Sequence, residues 1–333
     1  MERLDSAIVK PYEPKHFGRD YCELNGSRQY PMFLAAAFGM KKCYDDWVGT
    51  DKYGRFVDVC GRYGLFVEPD VVFAPESRNK DDVIGGKTIT TTYNSGKRFS
   101  ADEKGGKVHV FVSRSEEHAK NAKRFGWYPV VIGARSTNKP FIDHLRFGKC
   151  LGFPDCCIDF FRLYNDWSRY SNPFETYRNT PRQEHKAAAS YYCNNFLMDK
   201  TYSLIHHLPC SYRCGKTMDF AAKLESEIEK VEPDFIEKAR MLLKMPLLVF
   251  KEHNFVIFNS VGVKNCAAGK ILEYEGCQYI NNPARPEDTI DFFGSIEGGN
   301  SVLLGTKDLA IMDKSSILKK IRREPEWFIL DFD

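Results

Sequence analysis

Long apolar runs are missing from this sequence, and so is a secretory leader pattern. No stretch of its 333 residues approaches the ~20 apolar residues of a membrane-spanning helix, and the segment from Met1 to Ser6 carries acidic residues and no apolar run. These absences predict a cytoplasmic protein without a membrane partner. Thiols stay reduced in that compartment, so the eleven cysteines are expected to act as ligands, catalytic groups or small core residues rather than as a disulfide framework.

An excess of charge of one sign is also missing. The chain has 48 basic and 45 acidic residues, which give a net charge of +3. A field this weak favours neither nucleic acid nor a membrane surface as a partner, although it does not exclude nucleic acid. With 43% hydrophobic residues the chain is long enough to bury a large core, and its length favours two domains or three.

The fingerprints of several enzyme and metal-binding classes are absent as well. There is no serine hydrolase, kinase or Rossmann motif, and the cysteines form neither a Cys-x-x-Cys pair nor the Cys-x-x-x-Cys-x-x-Cys run of radical S-adenosylmethionine enzymes. A metal site in this chain must therefore use another spacing, and the sequence assigns no catalytic residue.

The apolar pattern divides the chain into three regions. We predict an α/β domain over residues 1–139, a helical region with the cysteine motifs over 140–245, and a β-rich domain over 246–333 that ends in a basic helix from Ser315 to Arg323. The predicted fold class is therefore α/β or α+β: an N-terminal α/β layer, a helical middle and a small antiparallel C-terminal sheet.

Two regions have more detailed patterns. In the first, a strand at Val108–Val112, a helix at Ser115–Phe125 and a strand at Tyr128–Ile132 predict a βαβ unit with a parallel strand pair. In the second, we predict a loop from Asn165 to Glu184 and three helices. These helices run from Pro140 to about Gly152, from Cys156 through Leu163, and from Cys210 through Ile228.

Five cysteines fall in two short motifs, Lys149 to Cys157 and His206 to Cys214. In each motif a proline, Pro154 or Pro209, stands just before cysteines that are expected to open a helix. Free N–H groups and the positive end of the helix dipole stabilise a thiolate there, as a metal ligand or a sulfur nucleophile requires. The two motifs therefore predict two halves of one thiolate-rich site.

Spacing within the motifs suggests the ligands. Cys210 and Cys214 would share one face of a helix, with Cβ atoms about 5–6 Å apart, whereas Cys156 and Cys157 can bind one ion together only at an irregular helix start. These four are the expected ligands. Two further residues are candidates for one additional ligand position, namely Cys150 and His207.

Soft sulfur ligands favour an iron–sulfur cluster, our first choice, or Zn²⁺. The other six cysteines have no partner at ligand spacing and are expected in the core; they are Cys22, Cys43, Cys60, Cys193, Cys266 and Cys277.

The string Leu151-Gly152-Phe153-Pro154-x-Cys156-Cys157, followed by His207-x-Pro209-Cys210-Ser211-x-x-Cys214, resembles a family of archaeal and bacterial proteins. That family is defined by a Leu-Gly-Tyr-Pro-x-Cys-Cys element and a His-x-Pro-Cys-Ser-x-x-Cys element, and it contains a domain of unknown function. Phe153 stands where tyrosine is usual. The resemblance implies that the two motifs belong together and implies no particular reaction.

Three functions fit these observations. The first is a metalloenzyme that uses a cysteine-bound cluster or metal for redox, sulfur-transfer or Lewis-acid chemistry on a small molecule or nucleotide. The second is a binding or assembly protein stapled by zinc, and the third is a metal-free thiol or persulfide enzyme. One further segment is rich in aromatic and basic residues and contains Trp167, Arg169, Tyr170, Tyr177 and Arg178. It either stacks on a nucleobase or packs as a surface loop, and we favour the packed loop.

Overall fold

The computed structural model describes most of the chain and brings helices and two antiparallel sheets together. The described residues are 8–75, 83–84, 87–88, 90–94, 106–126, 131–132, 135–136, 143–165, 168–181, 189–198, 201–251, 254–280 and 290–333. Their mixed architecture confirms the predicted fold class. No helix within these ranges is long and apolar enough to cross a membrane.

Ten α-helices lie in the described ranges, most of them short. They are α1 (Arg19–Asn25), α2 (Tyr30–Ala37), α3 (Tyr53–Arg62), α4 (Glu116–Phe125), α5 (His144–Cys150), α6 (Asp155–Tyr164), α7 (Asn172–Arg178), α8 (Gly215–Glu229), α9 (Pro233–Leu243) and α10 (Ile290–Gly298). The strands are β1 (Tyr44–Gly49), β2 (Phe66–Pro75), β3 (Val83–Ile84), β4 (Lys87–Thr88), β5 (Thr90–Asn94), β6 (Lys107–Ser113), β7 (Val131–Ile132), β8 (Arg135–Ser136), β9 (Leu247–Lys251), β10 (Asn254–Cys266), β11 (Gly269–Ile280), β12 (Ser301–Gly305), β13 (Asp308–Asp313), β14 (Ser316–Arg322) and β15 (Phe328–Leu330).

The N-terminal sheet has four strands in the order β1-β6-β2-β5, and every pair is antiparallel. The predicted strand and helix of β6 and α4 are confirmed, and Ser115 caps the helix by accepting a hydrogen bond from the His118 amide at 3.4 Å. The predicted parallel pair is wrong. Both edges of β6 are occupied by β1 and β2, while β7 turns back onto β8; residues 128–130 of the predicted strand lie outside the described ranges.

The C-terminal sheet has seven strands in the order β14-β13-β12-β11-β10-β9-β15, which confirms the predicted antiparallel sheet. The predicted basic helix from Ser315 to Arg323 is wrong, because this segment forms β14 at the sheet edge. Lys314, with φ of 56°, turns the chain so that its backbone can pair with β13. That ladder provides hydrogen bonds that outweigh the helical tendency of a lysine-rich segment, and exposed charges are common on edge strands.

The middle region is helical, with two corrections to the prediction. The segment predicted as a loop contains α7, which begins beside Pro173 at a position where its missing N–H is harmless. The third helix begins at Gly215 rather than at Cys210. A helix from Cys210 would need backbone carbonyls that already accept hydrogen bonds from other parts of the chain. The Thr176 hydroxyl donates to the Pro209 carbonyl, the Asn179 amide side chain to the Cys210 carbonyl, and the Ser190 backbone N–H to the Tyr212 carbonyl.

One apolar core joins residues from all three sequence regions, for example Phe33, Leu224 and Phe255. A second core lies on the other face of the C-terminal sheet and includes Leu248 and Phe258. The division into domains at residues 139 and 245 stays a prediction. The irregular segment of the middle region from Tyr202 to Cys214 contributes several of its side chains to the main core.

The six cysteines outside the motifs differ in their burial. Three are buried as expected, namely Cys43, Cys60 and Cys193. Two others are partly buried, namely Cys22 and Cys277. The core prediction is wrong for Cys266, which is exposed. It ends β10 at a tight turn, where the strand pair has run beyond the core.

Candidate metal centre

The first half of the site is the start of α6. Pro154 precedes the helix with φ of −61°, and its carbonyl accepts hydrogen bonds from the amides of Cys157 and Ile158 at 2.9 and 3.0 Å. The predicted helix start after this proline is therefore confirmed. Cys157 is buried with 2% exposure, whereas Cys156 is only partly buried.

The second half is the irregular segment that leads into α8. Cys214 takes the N-cap position of this helix, so its sulfur lies at the positive end of the helix dipole. Cys210 does not lie in a helix, but its backbone amide donates a hydrogen bond to the Sγ atom of Cys157 at 3.3 Å. The two halves are therefore joined directly, although Cys210 and Cys214 do not share a helix face as predicted.

The Sγ atoms of Cys156, Cys157, Cys210 and Cys214 all lie within 4.8 Å of one another. The distances from the Cys214 sulfur to the sulfurs of Cys156 and Cys157 are both 3.7 Å. Sulfurs at the corners of a tetrahedron around one ion, with metal–sulfur bonds of about 2.3 Å, stand about 3.8 Å apart. The four cysteines thus form a cluster that can hold a metal ion.

The cysteines of this cluster differ in acidity. Hydrogen bonds from the thiols of Cys157 and Cys210, together with the hydroxyl and backbone amide of Thr217, hold the pKa of Cys214 far below its usual range. The pKa of Cys210 is raised, because hydrogen bonds with Cys157 and Cys214 and burial all favour its thiol form. These contacts therefore favour the thiolate form of Cys214, and thiolates are the forms that bind metals.

The structure does not bring the two competing ligands into the cluster. His207 lies beside it: its Nε2 atom is 3.0 Å from the Thr217 hydroxyl, and its ring packs on Phe153 with centroids 5.2 Å apart. Burial lowers the pKa of His207 to about 3. Cys150 packs in a separate apolar cluster with Phe111 and Phe147. Whether either residue ever ligates a metal stays a prediction.

Sequence patterns alone did not single out two residues that border the cluster. Thr217 is fully buried, and its hydroxyl contacts both the Cys157 sulfur, at 3.5 Å, and His207. Its position three residues after a helix N-cap was the available signal, since the amide at that position faces the cap. Cys193, expected in the core, is indeed buried, but its thiol also lies 3.9 Å from the Cys214 carbonyl oxygen.

Another residue that the sequence did not flag holds the turn before α6. Lys41 is almost fully buried, and its Nζ atom donates a hydrogen bond to the Leu151 carbonyl at 2.6 Å while lying 4.7 Å from the centroid of the Phe153 ring. Burial lowers its pKa to about 8. Gly152 follows with φ of 72°, a conformation that favours glycine. The Leu-Gly-Phe-Pro turn is thus fixed from outside the motif.

The Cys214 side of the cluster is held by the far end of the sequence. Arg213 forms an ion pair with Asp333, with Nη2 and Oδ2 2.6 Å apart. Ala189 forms a parallel bridge with Phe332, and the neighbouring Ser190 amide bonds to the Tyr212 carbonyl at 2.9 Å. We call residues 328–333 the C-terminal clamp, because they bind the Arg213 side chain directly and the backbone of Ala189, next to the residue that bonds to Tyr212.

The segment proposed as a nucleobase platform is partly packed. Tyr177 stacks on Phe328 with centroids 4.5 Å apart, and Arg178 pairs with the buried Glu175. Tyr170 and Arg169 are exposed, and Trp167 lies outside the described ranges. These contacts favour the packed-loop alternative for Tyr177, while the nature of the protein's partners stays a prediction.

Comparison of the chain with protein-family models, with curated proteins and with solved structures gave no significant match. The class of protein is therefore defined by its own fold and site: a mixed α/β protein with a four-cysteine cluster that can bind a metal. The resemblance of the two motifs to a family stays an expectation.

Proposed function

We propose that this chain is a metalloprotein in which Cys156, Cys157, Cys210 and Cys214 hold one tetrahedral metal ion, with Zn²⁺ as the first candidate. The observation that carries the proposal is the mutual distance of the four sulfurs, all within 4.8 Å. Four thiolates are a common ligand set of structural zinc sites. The lowered pKa of Cys214 supports metal binding, since it favours the thiolate form that a metal ligand requires.

The sulfur spacing favours one ion over an iron–sulfur cluster. In a cluster with several irons, some of the cysteine sulfurs bind different iron atoms, and those sulfurs stand farther apart than the corners of a single tetrahedron. The two pairs at 3.7 Å match the single-ion spacing of about 3.8 Å instead. A cluster, the first choice from the sequence, is therefore the alternative that must be tested.

A full set of four protein ligands supports a structural role. Catalytic zinc sites keep a coordination position open for water or substrate, whereas closed sites stabilise the fold. The ion would tie the start of α6 to the start of α8, two elements separated by a long stretch of sequence. Its contribution would therefore be to fix the irregular segment around Cys210, which lacks a helix of its own.

Iron in the same four sulfurs would make a redox centre, and one observation favours that second candidate. Cys156 and Cys210 are only partly buried, so one side of the centre faces solvent. An exposed edge is what electron exchange with a partner requires. A centre that passes electrons to a substrate would have the redox function that the sequence suggested.

The deciding experiment is metal and acid-labile sulfide analysis of protein purified without oxygen. We expect one metal ion per chain and no sulfide. The Cys156→Ser variant should lose most of the metal, and the Cys266→Ser variant, changed at an exposed cysteine outside the cluster, should keep it. Two or more irons with matching sulfide would replace the single-ion proposal by a cluster. A fully folded protein without metal, even after reconstitution with zinc and iron salts, would contradict both.

A further inference from the structure

A cavity of about 250 Å³ lies next to the proposed metal centre. Its wall includes His206, His207 and Leu208, which lead directly into Pro209 and Cys210. The opposite wall includes Phe161, one helical turn after Cys157 on α6. The two chain segments that carry the cysteines thus form part of the cavity wall, yet none of the four cysteines lines the cavity.

The lining of the cavity is rich in aromatic rings. Phe161, Phe196 and Phe255, together with the two histidines, make up half of the ten described residues that line it. Phe161 and Phe196 are only partly buried. Aromatic faces bind flat rings by offset stacking or edge-to-face contact, each worth about 0.5–1.5 kcal/mol beyond burial.

Aspartate, glutamate, lysine and arginine are absent from these ten residues. Moving an ionised group into such a site without a partner is costly, so a charged ligand is disfavoured. Two amide side chains, Asn172 and Asn195, supply polarity without charge. An amide presents both donors and an acceptor, the combination that pairs with the nitrogen and amide edges of a heterocycle.

From these walls we infer that the cavity binds a neutral, flat heteroaromatic molecule of one or two rings, the size of a nucleobase or nicotinamide. The volume lies just below the range of about 300–1,000 Å³ typical of drug-sized ligands, which sets this size. The inference goes beyond the proposed metal centre, because neither the ligand nor its contacts involve the cysteine sulfurs.

The test compares nicotinamide with nicotinate, which share one ring and differ in a neutral amide against a carboxylate. Adenine serves as a two-ring probe. Binding is followed in the full chain with ¹³C-labelled methionine methyl groups. Met198 lines the cavity and Met241 lies on α9 with 53% exposure, so one spectrum carries both the reporter and its internal control. We expect the neutral probes to shift the Met198 signal and to leave the Met241 signal unchanged.

A matched pair of variants checks the location. Met198→Trp fills the cavity and should weaken nicotinamide binding at least about tenfold, the equivalent of 1.4 kcal/mol, whereas Met241→Trp should not change it. Binding by Met198→Trp at wild-type strength, nicotinate binding as tightly as nicotinamide, or no shift of Met198 with any neutral probe at millimolar concentration would each overturn the inference. The methyl shifts need no variant, so a misfolded Met198→Trp protein would not prevent a decision. Metal content of the same samples separates this result from the proposal for the cysteines.

Discussion

At the residue scale, the cluster depends on neighbours that are not ligands. Thr217 touches the Cys157 sulfur and His207, and its amide and hydroxyl favour the thiolate of Cys214. Groups that orient metal ligands in this way commonly change metal affinity by 10- to 100-fold when they are removed. The polar surroundings of the sulfurs are therefore expected to set affinity, while the sulfurs themselves set which metals bind.

The Thr217→Val variant tests this role. It keeps the shape of the side chain but removes the hydroxyl, so we expect metal affinity to fall about tenfold while the metal remains bound. Competition with a coloured chelator measures the change. Thr306→Val, at an exposed position, is the control. Equal affinity of the two variants would show that the hydroxyl has no role in the centre.

A second residue-scale feature is a buried histidine held between two carboxylates. His109 is fully buried, with Nδ1 3.0 Å from Asp70 and Nε2 3.3 Å from Asp45. Burial alone would lower its pKa, but the hydrogen bonds to Asp45 and Asp70 outweigh burial and raise it. Burial raises the pKa of Asp45, yet His109 and the nearby His206 and Lys41 bring it down to about 2.

This arrangement predicts a pH-dependent stability. A histidine whose pKa is higher in the folded chain stabilises the fold fully below its ordinary pKa of about 6.5, and the stabilisation is lost as pH rises through the raised value. We expect His109→Gln to lower the free energy of unfolding by about 2 kcal/mol at pH 6, and by less at pH 9. Urea unfolding at both pH values measures the difference. A gap between wild type and variant that is the same at pH 6 and pH 9 would refute the charged histidine.

At the element scale, the position of the cysteine pair depends on how closely α5 and α6 approach. Gly148 of α5 is buried against Ile158 of α6, and a Cβ atom at Gly148 would lie 2.8 Å from an Ile158 carbon. Such a distance requires a shift of the Ile158 side chain or of one helix. The glycine therefore permits the packing that places Cys156 and Cys157 beside the segment from Cys210.

Gly148→Ala should destabilise the protein by about 1 kcal/mol. The overpacking cost is about 1–3 kcal/mol, and the better helix propensity of alanine offsets part of it. Gly294→Ala, also inside a helix but exposed and with open space for its Cβ, should instead stabilise the protein by up to about 1 kcal/mol. Chemical unfolding of both variants checks the opposite signs. Stabilisation by both changes would mean that α5 and α6 are not in close contact.

Elements were predictable from the sequence where local signals decide them. Pro154 and the cysteine pair predicted the start of α6, Ser115 predicted α4, and alternating residues predicted most of the C-terminal sheet. The failures came where partners distant in sequence decide. The carbonyls of Pro209 and Cys210 bond to α7 and the residue after it, which delays α8. Likewise β14 is a strand because β13 lies beside it.

The candidate site was predictable to the level of its four cysteines but not of its geometry. The paired motifs indicated which sulfurs belong together, and the structure gathers those four. The roles of Thr217 and Lys41 could not be predicted from the sequence, because these roles arise from contacts with residues distant in the chain. His207 was an expected competitor, yet its ring faces Thr217 and Phe153 outside the set of four sulfurs.

At the scale of the whole molecule, the proposed ion joins parts of one core. The main core includes residues from the N-terminal sheet, the helices and the C-terminal sheet, and it also includes Cys157 and Cys214. A ligand that binds only the folded state stabilises all of the structure that unfolds with it. Loss of the ion should therefore lower the free energy of global unfolding and not only the local stability near the cysteines.

Metal removal should lower the thermal midpoint of the protein. At free metal 100 times its dissociation constant, binding contributes about 2.7 kcal/mol, and a strong chelator removes this contribution. We expect the Cys266→Ser protein to respond to chelator like the wild type, and the variant with serine at all four cluster cysteines not to respond. Calorimetry with and without chelator provides the comparison. A midpoint that chelator leaves unchanged in metal-loaded wild type would show that the centre does not stabilise the fold.

The C-terminal clamp has a consequence for the way the molecule is made. A ribosome synthesises the cluster cysteines well before Asp333, so the ion pair between Arg213 and Asp333 forms only after all four cysteines have been made. During that interval the thiols are held by fewer contacts than in the finished protein, and oxidants and competing ions reach them more easily. An ion that binds the four cysteines during this interval would therefore bind before the last strand, β15, joins β9.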